Sequence, residues 1–230
     1  MNNLTLIIPA KNENESLPIV LDSLENLEIK TLISLKEDDI DTINSIKNKK
    51  NIKLFFQSGT GYGNSLKEAI EFCDTEYFCI FNADGSFQPK DLIKLYSLIK
   101  NNDFVYTTRY EKPGGSDDDT FITFIGNKIF SKIGNIFFSL KISDILYTYL
   151  IGKTESFKKL NIKSNDFKFC VELPIKMVIA NMKYDCIPSY ELKRIAGRKK
   201  VNAFKDGFLI LLEMLRLFFI YKILRKKLIK

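Results

Sequence analysis

The sequence predicts an α/β protein: a mostly parallel sheet flanked by helices, ending in an amphipathic helix. Three observations carry this prediction. Short apolar runs alternate with helical patterns through the first half of the chain. The residues that follow the apolar runs are carboxylates, glycines and an arginine, as expected where strands of a parallel sheet end at a ligand. The last stretch interleaves Phe and Leu with Lys and Arg.

Taken in order, the expected strands are LTLIIP at 4–9, TLISL at 31–35, IKLFFQ at 52–57, YFCIFN at 77–82 and FVYTT at 104–108. Each is short, apolar and rich in β-branched or aromatic residues, the composition of strands buried on both faces. Helical patterns lie between them at 15–27, 40–47, 65–73 and 91–100. Such alternation with short connections implies right-handed crossovers. Past Tyr110 the pattern changes. EKPGGSDDD reads as a polar loop, 120–140 as a helix carrying Lys128 and Lys132, and 145–151 as a strand. A helix at 169–182, a strand at 184–188 and a final helix at 205–224 complete the expectation.

Composition excludes several chemistries. The 230 residues are 45% hydrophobic and 27% charged, sufficient for a sizeable core. There is no histidine, which removes Ser-His-Asp and Cys-His catalysis and His-ligated zinc or iron. Any metal is then a hard cation on oxygen ligands, Mg²⁺ or Mn²⁺. Cys73, Cys79, Cys170 and Cys186 form no CxxC and read as reduced core thiols of a cytoplasmic protein. No secretory leader is read in the short apolar start.

The net charge is +7, and the excess lies at the C-terminus, where from Lys193 onward only Asp206 and Glu213 are acidic. Interleaved with apolar bulk, this charge points to a membrane surface rather than to nucleic acid. No charge-free run there is long enough to span a bilayer. The expected location is cytoplasmic, peripheral on the inner face of the cell membrane. Packing or homo-oligomer formation is the alternative role of this helix.

The strand ends give the candidate site. Lys11, Asn12 and Glu13 follow the first run, Glu37, Asp38 and Asp39 the second, SGTGYGNS with Gly61 the third, Asn82 to Ser86 the fourth and Arg109 the fifth. GTGYG is neither GxGxxG nor GxxxxGK[ST], so no dinucleotide or P-loop fingerprint is present. The set fits a nucleoside diphosphate. Acids such as Glu13 and Glu37 can hydrogen-bond a base or ribose, and Asp84 with Ser86 offers oxygens to a divalent cation. Small neighbours such as Ala83 and Gly85 leave room for a sugar.

Several stretches resemble family-two glycosyltransferases. IIPAKNENESLP resembles their opening, and GTGYGNSLKEAIEFCDTEYFCIFNADGSFQPKDL their glycine segment and DxD region. TTRYEKPGG, GNKIFSKIGN, SDILYTYLIG, FCVELPIKMV and KRIAGRKK with KDG resemble, in order, later motifs of the dolichyl-phosphate mannose synthase branch.

The resemblance implies a GT-A (Rossmann-like) fold over 1–204, with a nucleotide-sugar half (1–110) and an acceptor half (111–204), and a membrane-interface helix at 205–230. It implies nucleotide-sugar contacts from Pro9, Lys11, Glu13, Glu37, Gly61, Asn82, Ala83 and Asp84. Asp84 and Ser86 would face the metal, Asn82 standing where the family has the first Asp of DxD. Arg109, Asp144, Arg194 and Lys200 match later motif positions as catalytic residues. Arg109, Lys128, Arg194, Lys199 and Lys200 would meet the acceptor.

The activity implied is inverting transfer from a nucleotide-diphosphate sugar to a polyprenyl phosphate. A sugar hydroxyl in surface polysaccharide or glycan synthesis is the alternative acceptor. It would need a base from Asp117, Asp118, Asp119 or Asp144. A non-catalytic scaffold of the same fold is the third reading. QxxRW is absent, which argues against polymer synthesis.

Overall fold

A computed structural model describes residues 1–197, 199–225 and 228. The chain runs β1 (Leu4–Pro9), α1 (Leu17–Leu24), β2 (Lys30–Leu35), α2 (Ile40–Ile46), β3 (Ile52–Phe56), α3 (Tyr62–Phe72), β4 (Tyr77–Ile80) and α4 (Lys90–Leu98). It continues with β5 (Phe104–Thr108), β6 (Gly115–Ser116), α5 (Phe121–Phe138), β7 (Leu150–Lys153) and α6 (Thr154–Leu160). It ends with α7 (Phe169–Ile179), β8 (Tyr184–Pro188), β9 (Tyr190–Glu191), α8 (Ala203–Phe218) and a π turn over Phe219–Ile223. The expected α/β architecture, a mostly parallel sheet flanked by helices, is what forms.

Seven strands make the main sheet in the order β3-β2-β1-β4-β7-β5-β8, and β6 pairs with β9 beside it. All neighbours in the main sheet are parallel except β7, which runs antiparallel to both β4 and β5. The apolar runs of the first strands follow from burial on both faces. In β1, Ile7 joins the core beneath α3 and α7, whereas Leu6 and Ile8 join the core beneath α1 and α4. Phe78, Phe104, Phe157 and Phe169 fill the first core, with Phe78 meeting Phe104 and Phe157 edge-on. Phe81, Phe87 and Tyr149 fill the second, Phe87 and Tyr149 stacked at 4.5 Å.

The second half departs from expectation. The strand read at 145–151 is Leu150–Lys153, because the residues before it form the loop that carries Asp144. Helix α6 was not expected: it starts at Thr154 directly after β7 ends at Lys153, with no turn residues to mark its beginning. The last helix is neither purely packing nor purely exposed. Ile210, Met214 and Leu217 bury one face of α8 among the core, while Phe204, Phe208 and Leu215 stand exposed on the other. Three tail cations expected to serve the membrane, Lys226, Lys227 and Lys230, lie outside the described residues.

Candidate active site

The site lies along the carboxyl ends of β1, β2, β4 and β5, where parallel strands leave loops free to carry function. Asn12 takes a left-handed conformation (φ 52°), turning the loop after β1 back toward α2. Its N–H donates to Asp39 Oδ2 at 2.8 Å, and the Glu13 N–H donates to Thr42 Oγ1 at 3.0 Å. Asp39 also caps α2 by accepting from the Thr42 N–H. Asp39, rather than the exposed Glu37, is thus the acid that ties the first two strand ends together. Lys11 is exposed at the loop tip and Pro9 closes the strand beneath it. The Glu13 carboxylate accepts from Ser16 Oγ at 2.9 Å and pairs with Lys200 at 3.2 Å.

The glycine segment starts α3 against a distant loop. Gly61 has φ +108°, and a Cβ there would lie 2.1 Å from the Asn165 carbonyl oxygen. Only glycine fits.

The turn after β4 is organised around one carboxylate. Asp84 Oδ1 accepts from the Ser86 N–H at 3.0 Å and from Ser86 Oγ at 2.7 Å. Asn82 Nδ2 donates to that hydroxyl at 3.3 Å, and Ala83 is buried beneath the turn. Ser86 is buried, and its hydroxyl proton goes to Asp84 Oδ1, which orients the carboxylate. Among the described residues, Asp84 Oδ2 has a single ion-pair partner, Arg194 Nη1 at 3.5 Å. Among the described residues no group of three or more acidic or cysteine side chains is placed to enclose a metal. One hard carboxylate oxygen with a long, weak contact does suit Mg²⁺ or Mn²⁺, which take most remaining ligands from water and phosphate oxygens.

Residues 192–197 form a strap across this turn. The Leu192 N–H donates to the Ser86 carbonyl and the Ile195 N–H to the Asp84 carbonyl, at 2.9 and 2.8 Å. Gly85, at φ +81°, leaves room for Ile195, whose Cδ1 would stand 2.4 Å from an added Cβ. Arg194 donates to both Asp118 oxygens, at 3.3 and 2.7 Å, and Lys199 lies 3.3 Å from the same carboxylate. Burial alone would raise the Asp118 pKa, but Arg194 and Lys199 hold it below the ordinary carboxylate value. Burial would likewise lower that of Arg194; its acidic partners Asp118 and Asp84 raise it instead.

Behind the strap, Arg109 is committed. Its Nε and Nη2 donate to Asp144 Oδ2 and Oδ1 at 2.7 and 2.9 Å, and Nη1 donates to Glu191 Oε2 at 2.9 Å. Tyr147 stacks beneath the guanidinium at 4.5 Å. Asp144 is wholly buried and also accepts from Asn127 Nδ2 and from the Arg109 N–H. Burial opposes the charge of Arg109, yet Asp144 and Glu191 keep it charged well above the ordinary guanidinium pKa. Two expectations are corrected here. Arg109 is not a free cation awaiting an acceptor, and Asp144 is not placed to act as a base, because each neutralises the other.

Lys128 has a different setting. On the exposed side of α5 its ammonium sits 4.6 Å from the Tyr110 ring centroid and 5.7 Å from that of Phe124. It makes no ion pair among the described residues. These groups open onto a cleft of about 540 Å³ lined also by Arg109, Ser116, Asp119 and Phe121. Tyr110 donates its hydroxyl to Asp119 at 2.6 Å, and burial keeps the phenol protonated.

The fold therefore joins Glu13, Asp84, Arg194, Lys199 and Lys200 in one charged cluster, and Arg109 with Asp144 in a second. Lys128 stands apart at the cleft, and Glu37 joins none of these groups. Sequence reasoning placed Asp39 at the second strand end but gave the nucleotide contact to Glu37, and it missed Tyr110 and Glu191. Asp39 carried a usable signal, an N-cap before the apolar pattern at 40. Glu191 carried none, since its partner Arg109 is 82 positions away.

A strand-end carboxylate turn on a mostly parallel sheet, strapped by a basic loop, defines a GT-A-type nucleotide-sugar fold. The chain belongs to glycosyl transferase family 2, whose model matches residues 5–160. It is 23% identical over 216 residues to glycosyltransferase AglJ of Haloferax volcanii, covering 92% of this chain and 70% of that protein. It superposes on glucosyl-3-phosphoglycerate synthase of Mycobacterium tuberculosis, solved with Mn²⁺, uridine diphosphate and glucosyl-3-phosphoglycerate, with a TM-score of 0.74. That identity is 11%, covering 94% of this chain and 80% of the other. Mannosyl-3-phosphoglycerate synthase of Rubrobacter xylanophilus superposes with a TM-score of 0.69 at 13% identity, covering 97% and 74%.

Proposed function

We propose that this protein transfers a glycosyl group, with inversion, from a nucleoside-diphosphate sugar to a polyprenyl phosphate of the dolichyl type. The observation that carries the acceptor is the state of the cleft. Among the described residues its lysines, Lys112 and Lys128, make no ion pair, its walls include Phe121 and Phe124, and the acids within it and behind it, Asp119 and Glu191, are already occupied. Asp119 accepts from Tyr110 and Thr123, and Glu191 from Arg109 and Ser116. An acceptor that arrives ionised needs no base, and a phosphate on an apolar chain matches a cation set among aromatics.

The donor diphosphate lies, in this reading, across the turn after β4, where Asp84 would hold Mg²⁺ or Mn²⁺. When bound, that cation offsets the negative charge developing on the departing nucleoside diphosphate. Arg194 and Lys200 turn from Asp84 and Glu13 toward the diphosphate oxygens and take up the same charge. Lys128 holds the acceptor phosphate opposite the leaving group. A phosphate oxygen attacks the anomeric carbon, the new carbon–oxygen bond forms as the bond to the diphosphate breaks, and no proton moves. Asp144, Glu191 and Tyr147 fix Arg109 as a strut beneath the cleft.

A second reading, transfer to a sugar hydroxyl, draws on Glu111. It is exposed at the cleft rim and, among the described residues, its carboxylate accepts from the Ser143 hydroxyl alone, at 2.7 Å, which leaves an oxygen to face an acceptor hydroxyl. The two are separated by incubating the protein with Mn²⁺, labelled UDP-, GDP- or dTDP-sugars and polyprenyl phosphate. Organic-soluble label released by mild acid, lost in Lys128→Ala and kept in Glu111→Gln, is the expected result. Label found only in water-soluble saccharide, and abolished by Glu111→Gln, overturns the phosphate acceptor.

A further inference from the structure

We infer that β3 is the contact of a two-fold dimer, its outer edge pairing antiparallel with β3 of a second copy about an axis at Leu54. The inference stands apart from the acceptor reading, because β3 ends the sheet on the side away from β5 and the cleft that follows it.

The edge is open. Strand β3 begins the order of the main sheet, and its strand partner is β2. Along that ladder the Thr31 N–H donates to the Asn51 carbonyl and the Gln57 N–H to the Leu35 carbonyl, at 3.3 and 3.0 Å. A parallel strand turns alternate residues toward each side. Asn51, Lys53, Phe55 and Gln57 therefore face β2, and the N–H and C=O groups of Ile52, Leu54 and Phe56 point outward. Among the described residues, no other backbone group bonds these three from the outer side. Such an edge accepts another strand unless something guards it, and lysine is a common guard. The charged residue of β3 is Lys53. Its ammonium lies 4.5 Å from the Phe72 ring centroid, folded onto α3 rather than across the edge. Beside the edge, Phe56 and Phe72 stand 46% and 50% exposed.

The occupant is a second copy because the strand complements itself, as a two-fold contact requires. With the axis at Leu54, Leu54 meets its own copy and Ile52 meets Phe56 of the partner subunit. Every outward residue then falls on a hydrogen-bonded position, each pair exchanging both bonds. Ile52 and Leu54 already pack on the core beneath α1, so an apolar row runs from one copy into the next. On the other face Lys53 stands opposite Phe55 of the partner subunit, a cation against a ring, beside the Phe55–Phe72 pair at 5.2 Å. Neighbouring registers fit worse. An axis at Lys53 sets two ammonium groups against each other, and one at Phe55 leaves Ile52 opposite Ser58, beyond the strand. Charge agrees at the ends, because antiparallel pairing brings the start of each strand to the end of the other. Lys50, just before β3, makes no ion pair among the described residues. Glu68, at the far end, accepts from the Ser58 N–H and Oγ at 2.7 and 2.6 Å and likewise has no cation partner among them. The turn that carries Asp84 stays clear, with β2 and β1 between β3 and β4. One short strand pair is smaller than a standard interface of about 800 Å² per partner, so a dissociation constant on the order of 10 µM is expected.

The test is sedimentation velocity of the full chain over a range of protein concentrations spanning about 1–100 µM, where a monomer–dimer equilibrium is expected. Phe56→Pro removes an outward N–H and leaves the β2 ladder intact, a place where a strand tolerates proline. It should weaken association at least about tenfold while the melting temperature is nearly kept. Leu54→Cys sets the two thiols at the axis, with Cα atoms about 5.5 Å apart, within the span of a disulfide. Mild oxidation should therefore convert Leu54→Cys to a covalent dimer and leave the parent monomeric under denaturing electrophoresis, because Cys73, Cys79 and Cys170 are buried and Cys186 is half-buried. Lys53→Cys and Phe55→Cys report the neighbouring registers. A monomer at every concentration overturns the dimer. A dimer as tight in Phe56→Pro as in the parent, or cross-linking through Lys53→Cys or Phe55→Cys in place of Leu54→Cys, overturns the pairing about Leu54. Should Phe56→Pro fail to fold, the cysteine variants decide alone: no cross-link through Leu54→Cys refutes the contact.

Discussion

Replacing Asp144 with Asn is expected to destabilise the protein far more than one lost hydrogen bond would. Asp144 is fully buried and takes two hydrogen bonds from the Arg109 guanidinium, one from its N–H and one from Asn127. An amide keeps the shape but presents an NH₂ toward donors, and it leaves the guanidinium balanced only by Glu191. Removing one partner of a buried pair costs about 3–5 kcal/mol. At about 2–4 °C per kcal/mol for a chain of this size, the melting temperature should fall by roughly 6–20 °C. Urea denaturation would show the midpoint falling at constant slope. Changing both partners, as in Arg109→Met with Asp144→Leu, should recover part of the loss, because no charge is then stranded. A drop under about 1 kcal/mol for Asp144→Asn, the range of an exposed pair, would show that Arg109 is solvated and free, and would return it to the list of acceptor cations.

Asp84→Ala should abolish Mn²⁺-dependent binding of a nucleotide sugar, read by calorimetry, while the far-ultraviolet spectrum is kept; Asn82→Asp should retain that binding. Gly61→Ala meets the Asn165 carbonyl at 2.1 Å and needs a left-handed backbone, so a loss of about 1–3 kcal/mol is expected in urea melts. For Asp118 the folded pKa is depressed by Arg194 and Lys199. Its contribution is therefore present above the unfolded value near ~3.9 and is lost as pH falls through the lower folded value. Thermal melts between pH 6 and pH 2 should flatten at their acid end in Asp118→Asn; an unchanged acid limb would contradict the pairing.

Much of the first half was legible because burial on both faces writes a strand as a continuous apolar run, as in LTLIIP and YFCIF. The carboxylate turn at Asp84 was legible for the same reason: polar residues ending such a run stand out. The order of strands was not, since β7 pairs Tyr77 with Lys153 and Phe104 with Gly152, and four residues carry no sign of partner or direction. The fate of charges was least legible. Arg109 looked like an open cation because Asp144 and Glu191, 35 and 82 positions away, reach it only through the fold.

The antiparallel strand β7 has a consequence for how this protein can be taken apart. It is a tongue from the chain beyond residue 110, set between β4 and β5 of the chain before it and hydrogen-bonded to both. A fragment ending near residue 110 would leave β4 and β5 with bare edges and a slot between them. The two halves are therefore one cooperative unit rather than interchangeable modules. A chimera that imports another second half must import a matching tongue, in register with Phe78 and Val105, before any question of specificity arises.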